Sequence, residues 1–162
     1  VYYWNYIRSL LSDDDIGFEK RVRRGATDLM NMMLNYGYAI LYNRVWQAIL
    51  GAKLNPFDSI IHCRQIGKPT FVYDMVEIFR AQVVDRVVIS LVQKGISLHT
   101  ERGLLDIETR KQVSQGVLNR LNRYENYRGE ELTLEDIIRR QMSEIARFIE
   151  KDVKYKPYIA KW

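Results

Sequence analysis

The chain has 162 residues, 47% apolar and 28% charged, a balance that builds a folded core and excludes a disordered chain. A net charge of +5 and a pI of about 9.3 suit a polyanionic partner, and equally an ordinary protein with extra lysine and arginine. Cys63 is the single cysteine, which excludes an intrachain disulfide and an all-cysteine zinc site; no apolar run reaches the ~18 residues of a membrane span, and the opening residues lack a signal-peptide pattern, so the expected location is the reducing cytoplasm.

Apolar positions at Tyr2, Tyr3, Tyr6, Ile7, Leu10 and Leu11 recur at helical spacing and predict a helix to about Leu11. That pattern is already running at Val1, so the natural chain is expected to extend upstream. Ser12 to Asp15 form a polar break, and Gly17 opens a loop with a basic cluster: Lys20, Arg21, Arg23 and Arg24. Thr27 reads as the N-cap of a helix that Gly51 stops. Apolar residues cover most of its circumference, leaving a polar stripe of Asp28, Asn31, Asn35, Tyr38 and Tyr42. If the helix is buried, that stripe needs hydrogen-bond partners on neighbouring elements.

Asn55-Pro56-Phe57 marks a turn before a short segment ending at His62, and a loop with Arg64, Gly67 and Lys68 follows. Thr70 reads as the cap of a helix to about Lys94, stopped by Gly95, with Asp74 and Glu77 on one face near its start. Residues 96–105 read as a loop with room for a short extended piece. Asp106 starts a helix to about Tyr124 whose outer face is basic through Arg110, Lys111, Arg120 and Arg123. Thr133-Leu134-Glu135-Asp136 reads as a variant capping box for a last helix to about Lys151. Pro157 ends helical structure in the tail, where Tyr155, Tyr158 and Trp162 either serve a partner or pack back on the core. The expected fold is all-α, with about five or six main helices and residues 1–162 in one domain.

Two histidines are available for chemistry. His99 reads as a surface or structural group. His62 precedes a helix that carries Asp74 and Glu77, and one imidazole with two carboxylates suits Mg²⁺ or Mn²⁺ better than a soft metal. Spacing alone leaves a second reading open: a histidine at a helix end and two carboxylates favoured near a helix N-terminus.

Longer motifs add to this. Arg24-Gly25-Ala26-Thr27-Asp28-Leu29-Met30-Asn31, Leu34-Asn35-Tyr36-Gly37-Tyr38 and Leu54-Asn55-Pro56 with Ile60-Ile61-His62 stand in order. They are followed by Gly67-Lys68-Pro69, Val72-Tyr73-Asp74-Met75-Val76-Glu77, Phe79-Arg80 and Val84-Asp85-Arg86. Together they resemble the universal CRISPR adaptation integrase and endonuclease family over nearly the whole chain. The resemblance implies a metal-dependent DNA endonuclease and integrase of antiviral defence, which inserts spacer DNA into a CRISPR array when a DNA 3′-hydroxyl attacks a phosphodiester. It implies that His62 and Glu77 hold one Mg²⁺ or Mn²⁺ ion and that Asp74 supports the site as a third catalytic residue. A further ligand, the glutamate of an E-G-x-x-A-x-x-Y-[FW] run ending at Tyr3-Trp4, is expected shortly upstream of Val1, and the helical chain is expected to lack the family's β-rich N-terminal domain. The implied partners are spacer-precursor and repeat DNA, a second copy of the chain, a small adaptation protein and, in some members, a fused or separate reverse transcriptase. Arg64, Lys68, Arg21 and Arg24 are the candidate DNA-backbone contacts. Asp85 and Arg86 read as an internal ion pair or hydrogen-bonded set. Two other functions stay open: a non-catalytic helical module that binds DNA or protein within a larger fusion, and a helical dimerisation scaffold.

Overall fold

The computed structural model describes residues 2–11, 16–58, 65–151 and 153–160. Among the described residues six α-helices carry the fold: α1 (Tyr2–Leu10), α2 (Leu29–Gly51), α3 (Thr70–Arg80), α4 (Arg86–Gln93), α5 (Ile107–Leu121) and α6 (Leu134–Lys151). Two antiparallel hairpins accompany them, β1 (Thr100–Glu101) with β2 (Leu104–Leu105) and β3 (Tyr124–Tyr127) with β4 (Glu130–Thr133). No helix among the described residues is long and apolar enough to cross a membrane.

The centre is α2, which packs against α3, α5 and α6. Met30, Met33, Leu34, Leu41, Val45 and Ile49 are buried against these neighbours, while Ala39, Asn43, Arg44 and Gln47 leave one face exposed. Its cap is Asp28 and not Thr27: Asp28 has extended backbone, and its carboxylate accepts the Asn31 amide at 2.9 Å. Gly51 lies inside the helix and does not stop it. The stop is a Schellman turn, with Lys53 N donating to the Leu50 carbonyl and Leu54 N to that of Ile49. Lys53 holds the left-handed position, φ 60°, that glycine ordinarily fills.

Residues 70–93 form one rod, as the periodicity predicts, but a π-helical turn (Ala81–Asp85) separates α3 from α4. Arg86 N reaches back to the Ala81 carbonyl, leaving Gln82 with a carbonyl that needs another partner. Arg120 of α5 supplies it through Nε at 2.9 Å and also donates to Gln82 Oε1 at 2.8 Å. Arg120 is therefore buried inside the bundle and does not belong to a basic outer face. Thr70 is the first residue of α3 and not its cap; the preceding turn closes that end, with Phe71 N donating to the Pro56 carbonyl.

Two glycines permit close approach. A Cβ on Gly37 of α2 would meet Val84 Cγ1 at 2.6 Å, and one on Gly116 of α5 would meet Val87 Cγ1 at 2.6 Å. Asp106 caps α5 as read, accepting the Thr109 amide at 2.7 Å. That helix ends at Leu121, short of the expected Tyr124, because Tyr124 begins β3. Arg128 and Gly129 turn the hairpin with both φ values positive, the geometry that suits strand twist. β4 feeds directly into α6, where the Asp136 amide donates to Thr133 Oγ1 and that hydroxyl donates to Asp136 Oδ2. The tail folds back on the core. Tyr155 Oη and Tyr158 N both donate to Gln141 Oε1, and the Tyr158 ring stacks on Phe79 at 5.3 Å. Trp162 lies outside the described residues.

Candidate active site

One turn separates Asp74 from Glu77 on α3, yet their surroundings differ. Asp74 is fully buried, whereas the Glu77 side chain is 44% exposed. His62 and Arg64, both expected here from the sequence, lie outside the described residues.

Glu77 has cationic company. Arg80 Nη1 donates to both its oxygens, at 2.9 and 2.8 Å, and Arg23 Nη2 stands 3.6 Å from Oε1. The Arg80 guanidinium lies over two rings, 5.6 Å from the centroid of Tyr38 and 5.9 Å from that of Trp4. Such cation–π contacts contribute about 0.5–1 kcal/mol when exposed and more when desolvated. Beneath the rings sits buried Asp85, whose Oδ2 accepts from Tyr3 Oη at 2.9 Å and whose Oδ1 accepts from Tyr38 Oη. Burial pushes the Asp85 carboxyl up from the usual carboxylate range, against the opposing pull of the two phenol hydrogen bonds and of Arg80 and Arg21. Burial, then the Asp85 charge, drives both phenols far above their ordinary range, so Tyr3 and Tyr38 remain protonated donors. Asp85 is thus a hydrogen-bonded core group as read, but its partners are Tyr3 and Tyr38; Arg86 instead donates to Gln82.

The polar stripe of α2 finds partners in the basic loop. Asn31 Nδ2 donates to the Lys20 carbonyl at 2.7 Å, and its Oδ1 accepts from Val22 N at 2.8 Å and Arg21 Nη1 at 2.9 Å. Arg21 also donates to Asn35 Oδ1 and lies 5.1 Å from the Tyr38 centroid. This side chain is thereby bound inward, tying its loop to α2 and bringing Arg23 to Glu77. Arg24 is exposed on the same loop. Lys68 is exposed too, with Nζ donating to Gln65 Oε1 at 2.6 Å. The sequence reading placed Tyr38 in the polar stripe of α2 and Tyr3-Trp4 at the end of a family motif, but gave neither these nor Arg80 a role beside Glu77.

An exposed carboxylate such as Glu77 fits a hard divalent cation, and buried Asp74 fits an orienting role. Among the described residues no three histidine, cysteine or acidic groups gather into a set that could hold a metal ion. A separate cleft of about 300 Å³ opens between α2 and α6, lined by Arg44, Ala48, Gly51, Glu135, Arg139 and Ser143 among others; none of the site residues borders it.

Residues 1–119 match the family model described as CRISPR associated protein Cas1. The chain belongs to the Cas1 family. It is 35% identical over 159 residues to a CRISPR-associated endonuclease Cas1 of Francisella tularensis subsp. novicida (strain U112), covering 97% of this chain and 49% of that one. The chain spans about half the length of the curated relatives it matches. A casposase bound to its integration product superposes with a TM-score of 0.83 at 26% identity, over 98% of this chain and 51% of the casposase. The Cas1 fold also recurs in a Cas6-RT-Cas1–Cas2 complex, with a TM-score of 0.77 at 21% identity over 93% of this chain and 17% of that one. The helical architecture described above is thus the Cas1 fold. The motifs that placed Asp74 and Glu77 at the start of α3 lie within the matched span.

Proposed function

We propose that this chain is the helical catalytic part of a divalent-cation-dependent DNA endonuclease and integrase that joins spacer DNA to a CRISPR array. The observation that carries the reading is Glu77: an exposed carboxylate on α3, one turn after buried Asp74, with Arg23 and Arg80 beside it. Membership of a family with named endonucleases supports it.

In this reading His62 and Glu77 hold one Mg²⁺ or Mn²⁺ ion and Asp74 orients the set. When bound, the ion offsets charge on the phosphoryl oxygens during transesterification. A DNA 3′-hydroxyl forms a new P–O bond as the old one breaks, and water in its place gives the nuclease reaction. Lys68, Arg64 and Arg24 contact phosphates, while Arg21 fixes the loop that presents Arg23 and Arg24. The partners are spacer and repeat DNA, a second copy, and a small adaptation protein, in keeping with the casposase and Cas1–Cas2 assemblies that share the fold.

The competing reading is a non-catalytic helical binding module. One observation favours it: Glu77 is already neutralised by arginine. Mn²⁺-dependent strand joining by the full-length protein separates the two. His62→Ala and Glu77→Gln are expected to lower joining by on the order of a hundredfold or more. Joining at the wild-type rate in both variants would rule out the site.

A further inference from the structure

Both oxygens of Glu77 are taken by a single guanidinium nitrogen of Arg80. Arg23 also approaches the carboxylate, but the two arginines are anchored differently. The Arg23 side chain is 76% exposed, whereas that of Arg80 is 20% exposed and rests on the Trp4 and Tyr38 rings. Tyr38 is fixed in turn by its hydroxyl on Asp85. Losing Glu77 would therefore leave Arg80 still seated on an aromatic shelf beside the site.

We propose that Arg80 is a swinging counter-ion, which neutralises Glu77 while no divalent cation is bound and turns to a DNA phosphate when one binds. The proposal rests on the reading of Glu77 as a cation ligand. A cation and a guanidinium compete for the same two oxygens, and their like charges repel at short range. The released guanidinium is a planar fork that matches phosphate. Cation loading and phosphate holding then favour one another by the same factor, because coupling between two binding events is reciprocal. The arrangement also spares the cation-free site an uncompensated carboxylate facing DNA.

The test is Mn²⁺ binding to full-length protein without DNA, read as free Mn²⁺ by electron paramagnetic resonance, for wild type, Arg80→Met and Glu77→Gln. Arg80→Met is expected to bind Mn²⁺ about tenfold more tightly, because a competing positive charge is gone. Glu77→Gln is expected to lose the site. Should Arg80→Met fail to fold, Arg80→Gln removes the same charge and carries the same prediction. The second measurement is the salt dependence of DNA affinity. With Mn²⁺ present, the Arg80→Met slope should be shallower than wild type by about one phosphate contact; with EDTA the slopes should coincide. Equal or weaker Mn²⁺ binding by Arg80→Met, with Glu77→Gln still inactive in binding, overturns the swing and leaves the Glu77 assignment standing. So does a slope difference that persists in EDTA. Wild-type Mn²⁺ binding by Glu77→Gln removes the assignment and the swing together.

Discussion

Two buried amides hold irregular chain against this helical core, and they do so in different electrostatic company. Asn31 of α2 binds the loop at Lys20–Val22; Gln141 of α6 binds the tail at Tyr155–Tyr158. Both amides are fully buried, and each bonds to backbone and side chain at once. Around Gln141 stand the Tyr127 and Tyr155 hydroxyls, the Lys156 carbonyl and the Glu144 carboxylate, which Arg128 and Arg140 flank. Around Asn31 stand Arg21 and Asp28, and beyond them Tyr38, Asp85 and Arg80. Charged groups stand at both ends; what sets the Asn31 end apart is Asp85, a fully buried carboxylate whose desolvation cost the proposed site would account for.

Leucine at either position tests that difference. Asn31→Leu strands the Val22 amide and the Lys20 carbonyl, and Gln141→Leu strands the Tyr155 hydroxyl and the Tyr158 amide. Each is expected to cost about 3 kcal/mol by urea unfolding, since every buried group left unpaired costs roughly 1–3 kcal/mol. Only Asn31→Leu should also weaken DNA binding, because the loop bearing Arg23 and Arg24 loses its mooring. Equal DNA affinities in the two variants would erase the functional contrast.

A smaller effect comes from the two close approaches. Gly37→Ala presses on Val84 in the π-helical turn and Gly116→Ala on Val87 in α4. Both should destabilise by about 1–3 kcal/mol, the ordinary cost of overpacking. The turn that Gly37 touches ends in Asp85, so Gly37→Ala should also slow strand joining, whereas Gly116→Ala should slow it less. Matching losses of joining would show that the turn does not transmit its position to the site.

The long helices were legible because apolar spacing and end signals agree. Asp106 and Thr133 cap where their sequence places them, and Gly95 follows Lys94 as expected. The β3–β4 hairpin was not legible: its strands alternate weakly, and Arg128 takes a left-handed conformation that arginine does not advertise. Nor does any local signal mark the π-helical turn, which depends on Arg120 arriving from another helix. The candidate site was legible in part. Family motifs bring Asp74 and Glu77 forward, but the arginines around Glu77 depend on packing. Arg23 arrives on a loop that bonds to Asn31 and Asn35 hold to α2, and Arg80 owes its setting to rings on α1 and α2.

The subtlest expected effect is the pH dependence carried by Asp85. Burial raises its carboxyl pKa in the folded protein, so folding favours the protonated form. Its contribution to stability is then fully present below the unfolded-state value and lost as pH rises through the folded-state value. Asp85→Asn removes that ionisation and keeps an acceptor between Tyr3 and Tyr38. Measured by urea midpoint from about pH 3.5 to about pH 7, the variant should gain on wild type as pH rises. Referring each midpoint to wild type at the same pH cancels the other titrating groups to first order. A constant difference would mean that the phenol hydrogen bonds and the flanking arginines offset burial in full. If wild type gains on the variant instead, those charges outweigh burial, Asp85 is a stabilising anion, and the polar layer beneath Glu77 costs the fold no more than the one beneath the tail.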